Sequence, residues 1–372
     1  MRLVVFGLTI SSSWGNGHAT LWRGLAAALA ARGHSIAFFE RDAPWYAPHR
    51  DLTSVPGGAL HLYRAWGEVE ALAARELRAA DCGLVTSYCP DGVAAADLLV
   101  ASPVPARVYY DMDTPVTLAR ARAGEPVESI GPRGLRDFDL VLSFTGGEAL
   151  RELRRAFGAR RVLPLYGSVD PAVHRPVAPL DAFRGDLSYL GTYAASRQAA
   201  LERLFLEPAR RRPDRTFVVG GSMYGSDFPW RPNVRYVNHL PPSLHPAFFC
   251  SSPLTLNVTR APMAALGFCP SGRIFEAAAC GTPVLTDPWP GLETFLEPGR
   301  EILVARDADD AIAALDLGPE RLARVGRAAR RRVLAEHTAE RRAAELLLAV
   351  ELAARARAAP APTAASIFGA EG

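Results

Sequence analysis

Lysine is absent from this 372-residue chain, so all 42 of its basic residues are arginine. Against 39 acidic residues they leave a formal net charge of only +3, which excludes a broad cationic surface for a polyanion. Runs such as Arg210–Arg212 and Arg330–Arg332 therefore read as solvated helix faces, and no nucleic-acid partner is expected. Cysteine is sparse: five residues, an odd number, with no CxxC spacing. That argues against a disulfide framework or structural zinc site and for a reducing compartment. No segment reaches the roughly 20 uninterrupted apolar residues of a membrane span. The opening MRLVVFGLTI has the look of a short signal peptide. It passes at once into Ser11-Ser12-Ser13-Trp14-Gly15 and is read as a first core strand instead. A cytoplasmic location is expected.

The chain is long enough for two domains, each with its own core. Short apolar runs alternate with helical segments: strands at Leu3–Phe6, Ser35–Phe39, Cys82–Thr86, Ala106–Tyr110, Leu140–Phe144 and Arg161–Pro164. A Pro-rich stretch, Asp170–Leu180, breaks this rhythm. The pattern then restarts at Asp186–Leu190, Thr216–Val219, Val234–Val237, Leu254–Val258 and Val284–Thr286. Helices are expected between them, including Thr20–Ala31, Glu148–Phe157, Arg197–Leu206 and Ile274–Ala279, with a long amphipathic region over Pro319–Arg357. This pattern predicts an α/β protein of two doubly wound parallel sheets facing a cleft, with ligands beyond the carboxyl ends of the strands.

The segment Ser271–Glu301 carries the most chemistry. A Ser-Gly turn opens a short apolar helix holding one acid, Glu276. Cys280-Gly281-Thr282-Pro283 stops it, a strand follows, and a Pro/Gly loop brings a second acid, Glu293. A helix N-terminus suits phosphate, and a carboxylate one turn further in can accept both hydroxyls of a ribose. The combination points to a nucleotide-sugar site; an ordinary α/β crossover with a solvated Glu276 is the alternative at this stage.

The order of elements, the RGHSIAFFE end of the first unit and SGRIFEAAACGTPVLT together resemble GT-B glycosyltransferases of the group 1 kind, with the bacterial spore-maturation CgeB-like branch the nearest likeness. The resemblance spans roughly residues 1–350. It implies an acceptor-binding Rossmann-like domain over 1–172, onto which a C-terminal helix near 338–357 packs back. A nucleotide-sugar-binding domain would cover 181–337, and a flexible tail 358–372. It also implies transfer from a UDP-, dTDP- or GDP-sugar with no cofactor and no metal. One departure is Phe268, which stands where many group 1 members carry the first of two glutamates eight positions apart.

On the donor side, Ser271, Gly272 and Arg273 can hold the diphosphate and Glu276 the ribose. The resemblance implies a diphosphate-binding cation after Leu190-Gly191-Thr192-Tyr193. With no lysine in the chain, Arg197 is the substitute, unless it is a surface arginine at a helix start. Gly221 and Ser222 can contact the nucleotide by backbone or form only a tight turn. The resemblance seats the base near His239 and Leu240. Asn257 or Thr259-Arg260 can reach a phosphate, and Gly291, Leu292 and Glu293 lie where relatives touch the donor sugar; a dipole-favoured helix-start acid is the alternative for Glu293.

On the acceptor side, the loop Trp14, Gly15, Asn16, Gly17 is small enough to approach a ligand closely. It lacks GxGxxG spacing, which argues against NAD. By resemblance His18 in this loop is a candidate base for the acceptor hydroxyl; a structural histidine at a helix start is the alternative. Asp113 is the second base or acceptor-binding candidate. Asp111 is a further acceptor contact or only a loop cap, and the Asp-x-Asp spacing is not taken as a metal site. Three hypotheses stand: glycosyl transfer, a sugar-nucleotide epimerase of the same architecture, and a noncatalytic nucleotide-sugar or glycan binder. Oligomeric state, acceptor and stereochemical outcome stay open.

Overall fold

A computed structural model of the chain describes residues 1–359; of the expected tail 358–372, residues 360–372 lie outside the described residues. Seven strands form the N-terminal sheet: β1 (Arg2–Gly7), β2 (Ser35–Arg41), β3 (Ala59–Tyr63), β4 (Cys82–Thr86), β5 (Ala106–Asp111), β6 (Leu140–Ser143) and β7 (Val162–Pro164). Their spatial order is β3-β2-β1-β4-β5-β6-β7. Six strands form the second sheet: β8 (Leu187–Leu190), β9 (Phe217–Gly221), β10 (Val234–Asn238), β11 (Thr255–Asn257), β12 (Val284–Thr286) and β13 (Leu303–Val304), in the order β10-β9-β8-β11-β12-β13. Every pairing in both sheets is parallel. The architecture is therefore two doubly wound Rossmann-like sheets, as the alternating pattern predicts.

β1 shows why its apolar run is continuous. Leu3 and Val5 join a core with Trp22 and Leu346, while Val4 and Phe6 join a second core with Leu77 and Leu99 on the opposite face. A parallel strand covered by helices on both sides has no solvent face, so no polar alternation is required. The first helix, Gly17–Ala31, is capped by Asn16, whose side chain accepts from the His18 amide at 2.9 Å.

Several elements went unforeseen. β3, the helices Thr114–Arg122 and Ala261–Leu266, and β13 are too short or too polar to stand out by periodicity. The helix expected over Arg197–Leu206 runs from Ala195 to Arg211 through a π-helical turn at Glu202–Leu206. The arginine runs are engaged: Arg211 pairs with Asp309 at 2.6 Å, Arg212 with Asp316 at 2.6 Å and Arg332 with Glu336 at 2.9 Å.

The amphipathic C-terminal region splits into the helices Pro319–Glu336 and Ala339–Ala358. Thr338 caps the second, and the break lets the chain cross between the halves. The two crossings are hydrogen-bonded to each other: the Val169 amide donates to His337 O at 3.0 Å and the Ala339 amide to Val169 O at 2.8 Å. The last helix then buries Ala343, Leu346, Ala349, Val350 and Ala353 in the N-terminal core. No helix of the described residues is long and apolar enough to cross a membrane. Truncating Leu346, which is fully buried, to alanine is expected to cost about 3 kcal/mol of unfolding free energy in a denaturant titration. An unchanged midpoint would show that the last helix does not hold the N-terminal half.

Candidate functional site

In an open parallel sheet the strand order reverses beside the first strand, and the loops diverge there to leave a crevice. Here those points are β1/β4 and β8/β11. Loops beyond the carboxyl ends of both sets line one cleft of about 540 Å³. Leu8, Ser13, Gly15, Asn16, Gly17, His18, Tyr88, Met112 and Asp113 come from the N-terminal half. Gly191–Ala194, Arg197, Gly221–Met223, His239, Leu240, Val258–Arg260 and Cys269–Arg273 come from the other half, with Glu276 one turn into its helix.

Glu40, fully buried at the end of β2, organises the first loop. Its carboxylate accepts from Thr9 Oγ1 at 2.8 Å and from the Ile10 and Ser11 amides at 2.8 and 3.0 Å. This anchoring presents Gly15–His18 to the cleft. Burial lowers the pKa of His18, with partial compensation by the Asp113 charge, so the imidazole is neutral at pH 7. Its Nδ1 has no protein partner. Asp113 accepts from the Tyr88 hydroxyl at 2.9 Å and pairs across the cleft with Arg260 at 3.3 Å.

The opposite wall concentrates positive charge. Arg273 donates to Ser271 Oγ at 3.1 Å and to Leu190 O, and lies 5.8 Å from the centre of the Tyr189 ring. Arg197 donates to Thr192 O at 3.0 Å. Neither guanidinium pairs with a carboxylate among the described residues. Burial, and then the charges of Arg273 and Arg260, push the pKa of Arg197 down to about 10. Cations held this close together favour an anion. Gly191 makes room for this: a Cβ there would sit 2.7 Å from the Tyr189 hydroxyl and would collide with Arg273.

Glu276 is buried, and burial raises its pKa despite the opposing influence of His245 and Arg273. His174 Nε2 and His245 Nδ1 lie 4.0 and 3.9 Å from its carboxylate. These three ligand atoms, all within 4.8 Å of one another, are a group able to hold a metal ion. His245 Nε2 is 3.2 Å from Leu240 O, so it carries the proton and leaves the Nδ1 lone pair toward Glu276.

Backbone strain gathers at the same place. The non-glycine residues with left-handed backbone among the described residues are Tyr88, Met223, His239 and Phe268. The first three line the cleft, and Phe268 precedes Cys269 on its wall. Its amide oxygen accepts from the Gly146 amide at 2.9 Å, and its ring lies against Gly147 and Gly291. Phe268 thus joins the two halves by packing, at the position where the resemblance places the first of the paired glutamates of many group 1 members.

Of the residues singled out in the sequence, six lie away from the cleft lining. Trp14 stacks on His49 at 4.6 Å. Asp111 is fully buried beneath the loop, accepts from Thr117 at 3.0 Å and is pushed up to about 7 by burial. Asn257 is buried and donates to Thr286 at 3.1 Å. Gly291 and Leu292 pack inside the second half, and Glu293 faces solvent. Tyr46, Tyr88, His174 and His245 were missed. Tyr88 follows β4 and was findable by the same carboxyl-end rule as Asp113. The histidines sit in the linker and at a helix start, where no local pattern marks them.

Burial holds His174 and His245 down to about 4, well below the 6.5 of a free imidazole. Below pH 6.5 the unfolded chain takes up protons that the folded one refuses, so their stabilisation is complete above 6.5 and is lost progressively toward pH 4. Each accounts for at most about 3 kcal/mol. Thermal melts should show Tm falling across this window, with a shallower slope in His174→Phe; an unchanged slope would refute the assignment.

Residues 197–348 match the family model described as glycosyl transferase-like. No curated protein matches the chain by sequence. Among solved structures, sucrose-phosphate synthase from Thermosynechococcus elongatus is similar at 16% identity and a TM-score of 0.70, covering 95% of this chain and 99% of its own. Anabaena HepE in complex with UDP-glucose follows at 14% identity and TM-score 0.64, covering 94% and 99%. An alpha-glucosyltransferase in complex with UDP and a 13-mer DNA has 11% identity and TM-score 0.66, covering 94% and 99%. The chain therefore has the GT-B glycosyltransferase fold, and its C-terminal part carries a glycosyl transferase-like domain.

Proposed function

We propose that the protein transfers a sugar from a nucleoside diphosphate sugar to an acceptor hydroxyl in this cleft, without a metal. The observation that carries the reading is a pair of carboxylate-free guanidiniums lining the cleft, Arg273 in the first turn of the helix Gly272–Ala279 and Arg197 on the helix starting at Ala195. Oriented helix amides and two arginine forks together suit a diphosphate and stabilise the charge that develops on it as it leaves. HepE, of the same fold, binds UDP-glucose. In this reading Glu276 accepts from the ribose hydroxyls, and Gly221, Ser222, His239 and Leu240 border the nucleotide. The residues 181–337 form the donor domain, and 1–172 with the last helix form the acceptor domain. The branch is read as CgeB-like on the Ser271–Thr286 resemblance, and the location as cytoplasmic.

His18 is the base. The Asp113 Oδ2 is already engaged by Tyr88 and Arg260, whereas burial keeps the His18 imidazole neutral and able to take a proton. It takes the acceptor proton as the oxygen attacks the anomeric carbon. The bond from that carbon to the diphosphate oxygen breaks, and its electron pair leaves with the nucleoside diphosphate. The Asp113 charge favours the imidazolium formed.

Titration calorimetry with UDP and UDP-glucose should show affinity reduced at least about tenfold in Arg273→Ala and in Glu276→Gln, the size of a lost charge-assisted hydrogen bond. Unchanged affinity in both folded variants would sink the donor assignment. Because the His18 pKa is lowered from 6.5, the acid limb of kcat/KM is expected below pH 6.5. His18→Ala should lower kcat about 100-fold or more while UDP affinity is retained; near-normal turnover would remove His18 as base. Acceptor-dependent release of nucleoside diphosphate is the decisive assay. Donor consumption without acceptor would indicate an epimerase instead, and binding without turnover a noncatalytic protein.

A further inference from the structure

The two walls of the cleft differ in charge, and the difference bears on the acceptor. Free cations lie on the donor wall, at Arg197 and Arg273. On the N-terminal side the nearby arginines are each held by a carboxylate: Arg23 by Asp51 at 2.6 Å, Arg41 by Asp91 at 3.4 Å, and Arg50 by Asp42. Among the described residues lining the cleft, that side contributes no arginine and a single carboxylate, Asp113. Arg260, reaching over from the donor wall, is engaged with it at 3.3 Å.

Beside the polar Ser13, Asn16, His18 and Thr20, that wall presents a run of apolar and aromatic side chains: Leu8, Leu21, Met112, Phe144, Tyr46 and Tyr88. Tyr88 is 41% exposed, although nothing in its sequence position demands a large exposed ring. Its backbone is held at φ 62°, and its hydroxyl is tied to Asp113 at 2.9 Å. Its ring centre is 5.9 Å from that of His18. A strained, tethered aromatic beside the candidate base offers a rigid stacking face where the reacting hydroxyl must lie.

Resting on the glycosyl-transfer reading, we infer that the acceptor is an uncharged hydroxyl compound with a flat apolar ring face, and not a sugar phosphate or other anion. A phosphate on this wall would meet Asp113, whose neighbouring guanidinium, Arg260, is already engaged with it at 3.3 Å, while an apolar ring would cover Leu21 and the exposed face of Tyr88 and remove them from water. Uncharged ring-faced acceptors thereby gain from the same surface that repels anionic ones.

Three matched ligands test this by titration calorimetry, with and without saturating UDP: methyl β-glucoside, phenyl β-glucoside and phenyl β-glucoside 6-phosphate. The phenyl glucoside is expected to bind at least tenfold tighter than either of the others. Leu21→Arg, or Leu8→Arg as an independent position, should bring the phosphate to within twofold of the neutral phenyl compound or beyond it. The inference is overturned if the phosphate binds the wild type as tightly as the neutral compound. It is equally overturned if the methyl and phenyl glucosides bind alike, or if none of the three binds. Failure of UDP itself to bind would count against the donor reading alone, because the titrations without UDP still report on the acceptor wall.

Discussion

Parallel strands cannot be joined by tight hairpins, and this constraint organises the molecule. Each strand must be followed by a crossover that returns to the same end of the sheet, so every connection leaving a carboxyl end lies on one edge. Two such sheets, each reversing its order beside its first strand, present two crevices. The paired crossings at Val169 and His337–Ala339 hold the halves so that these crevices share one cleft. Residues as far apart in sequence as Asp113 and Arg260 meet there for that reason.

The chemistry of the cleft depends on charges that the fold leaves without partners. Several surface arginines elsewhere pair with carboxylates, and Arg212 bridges two of them. Arg197 and Arg273 instead lean on backbone carbonyls. Glu276 lies under burial that disfavours its charge, beside two histidines that burial keeps neutral. A folded chain tolerates such groups where a ligand satisfies them, and the left-handed backbone at Tyr88, Met223 and His239 adds strain at the same location. Across the cleft, unpaired cations lie on one wall and a carboxylate engaged by Arg260 on the other.

Glu40 illustrates how little of this is local. A buried acid at the end of β2 would look like an error in a core strand, yet it accepts from the loop after β1 and fixes the approach to His18. The match of its Oε2 with the Ile10 and Ser11 amides, and of its Oε1 with the Thr9 and Ser11 hydroxyls, exists only because β1 and β2 are paired in parallel register.

Much of the architecture was legible in the sequence because a parallel sheet is written in continuous apolar runs, and because Gly33, with its left-handed backbone, stops the first helix; the caps at Asn16 and Thr338 emerge only in the structure. The helix after Ser271 and its single acid were equally plain, since N-terminal amides and a carboxylate one turn on are local features. β3, with its half-exposed residues, and β13, of two residues, carry too little periodicity to be read. Which side chains enter the cleft was a tertiary matter. Asn257, Gly291 and Glu293 sit near the right strands but face a neighbouring strand, a core or solvent, because facing depends on pleat and on packing against the other half. The sequence by itself determined the two-sheet class and the helix after Ser271, through local hydrophobicity. Only the tertiary structure decided that Arg197 and Arg273 remain unpaired, that His174 and His245 flank Glu276, and that Tyr88 stands beside His18, because each is a contact between segments whose separation in sequence carries no record of their distance in space.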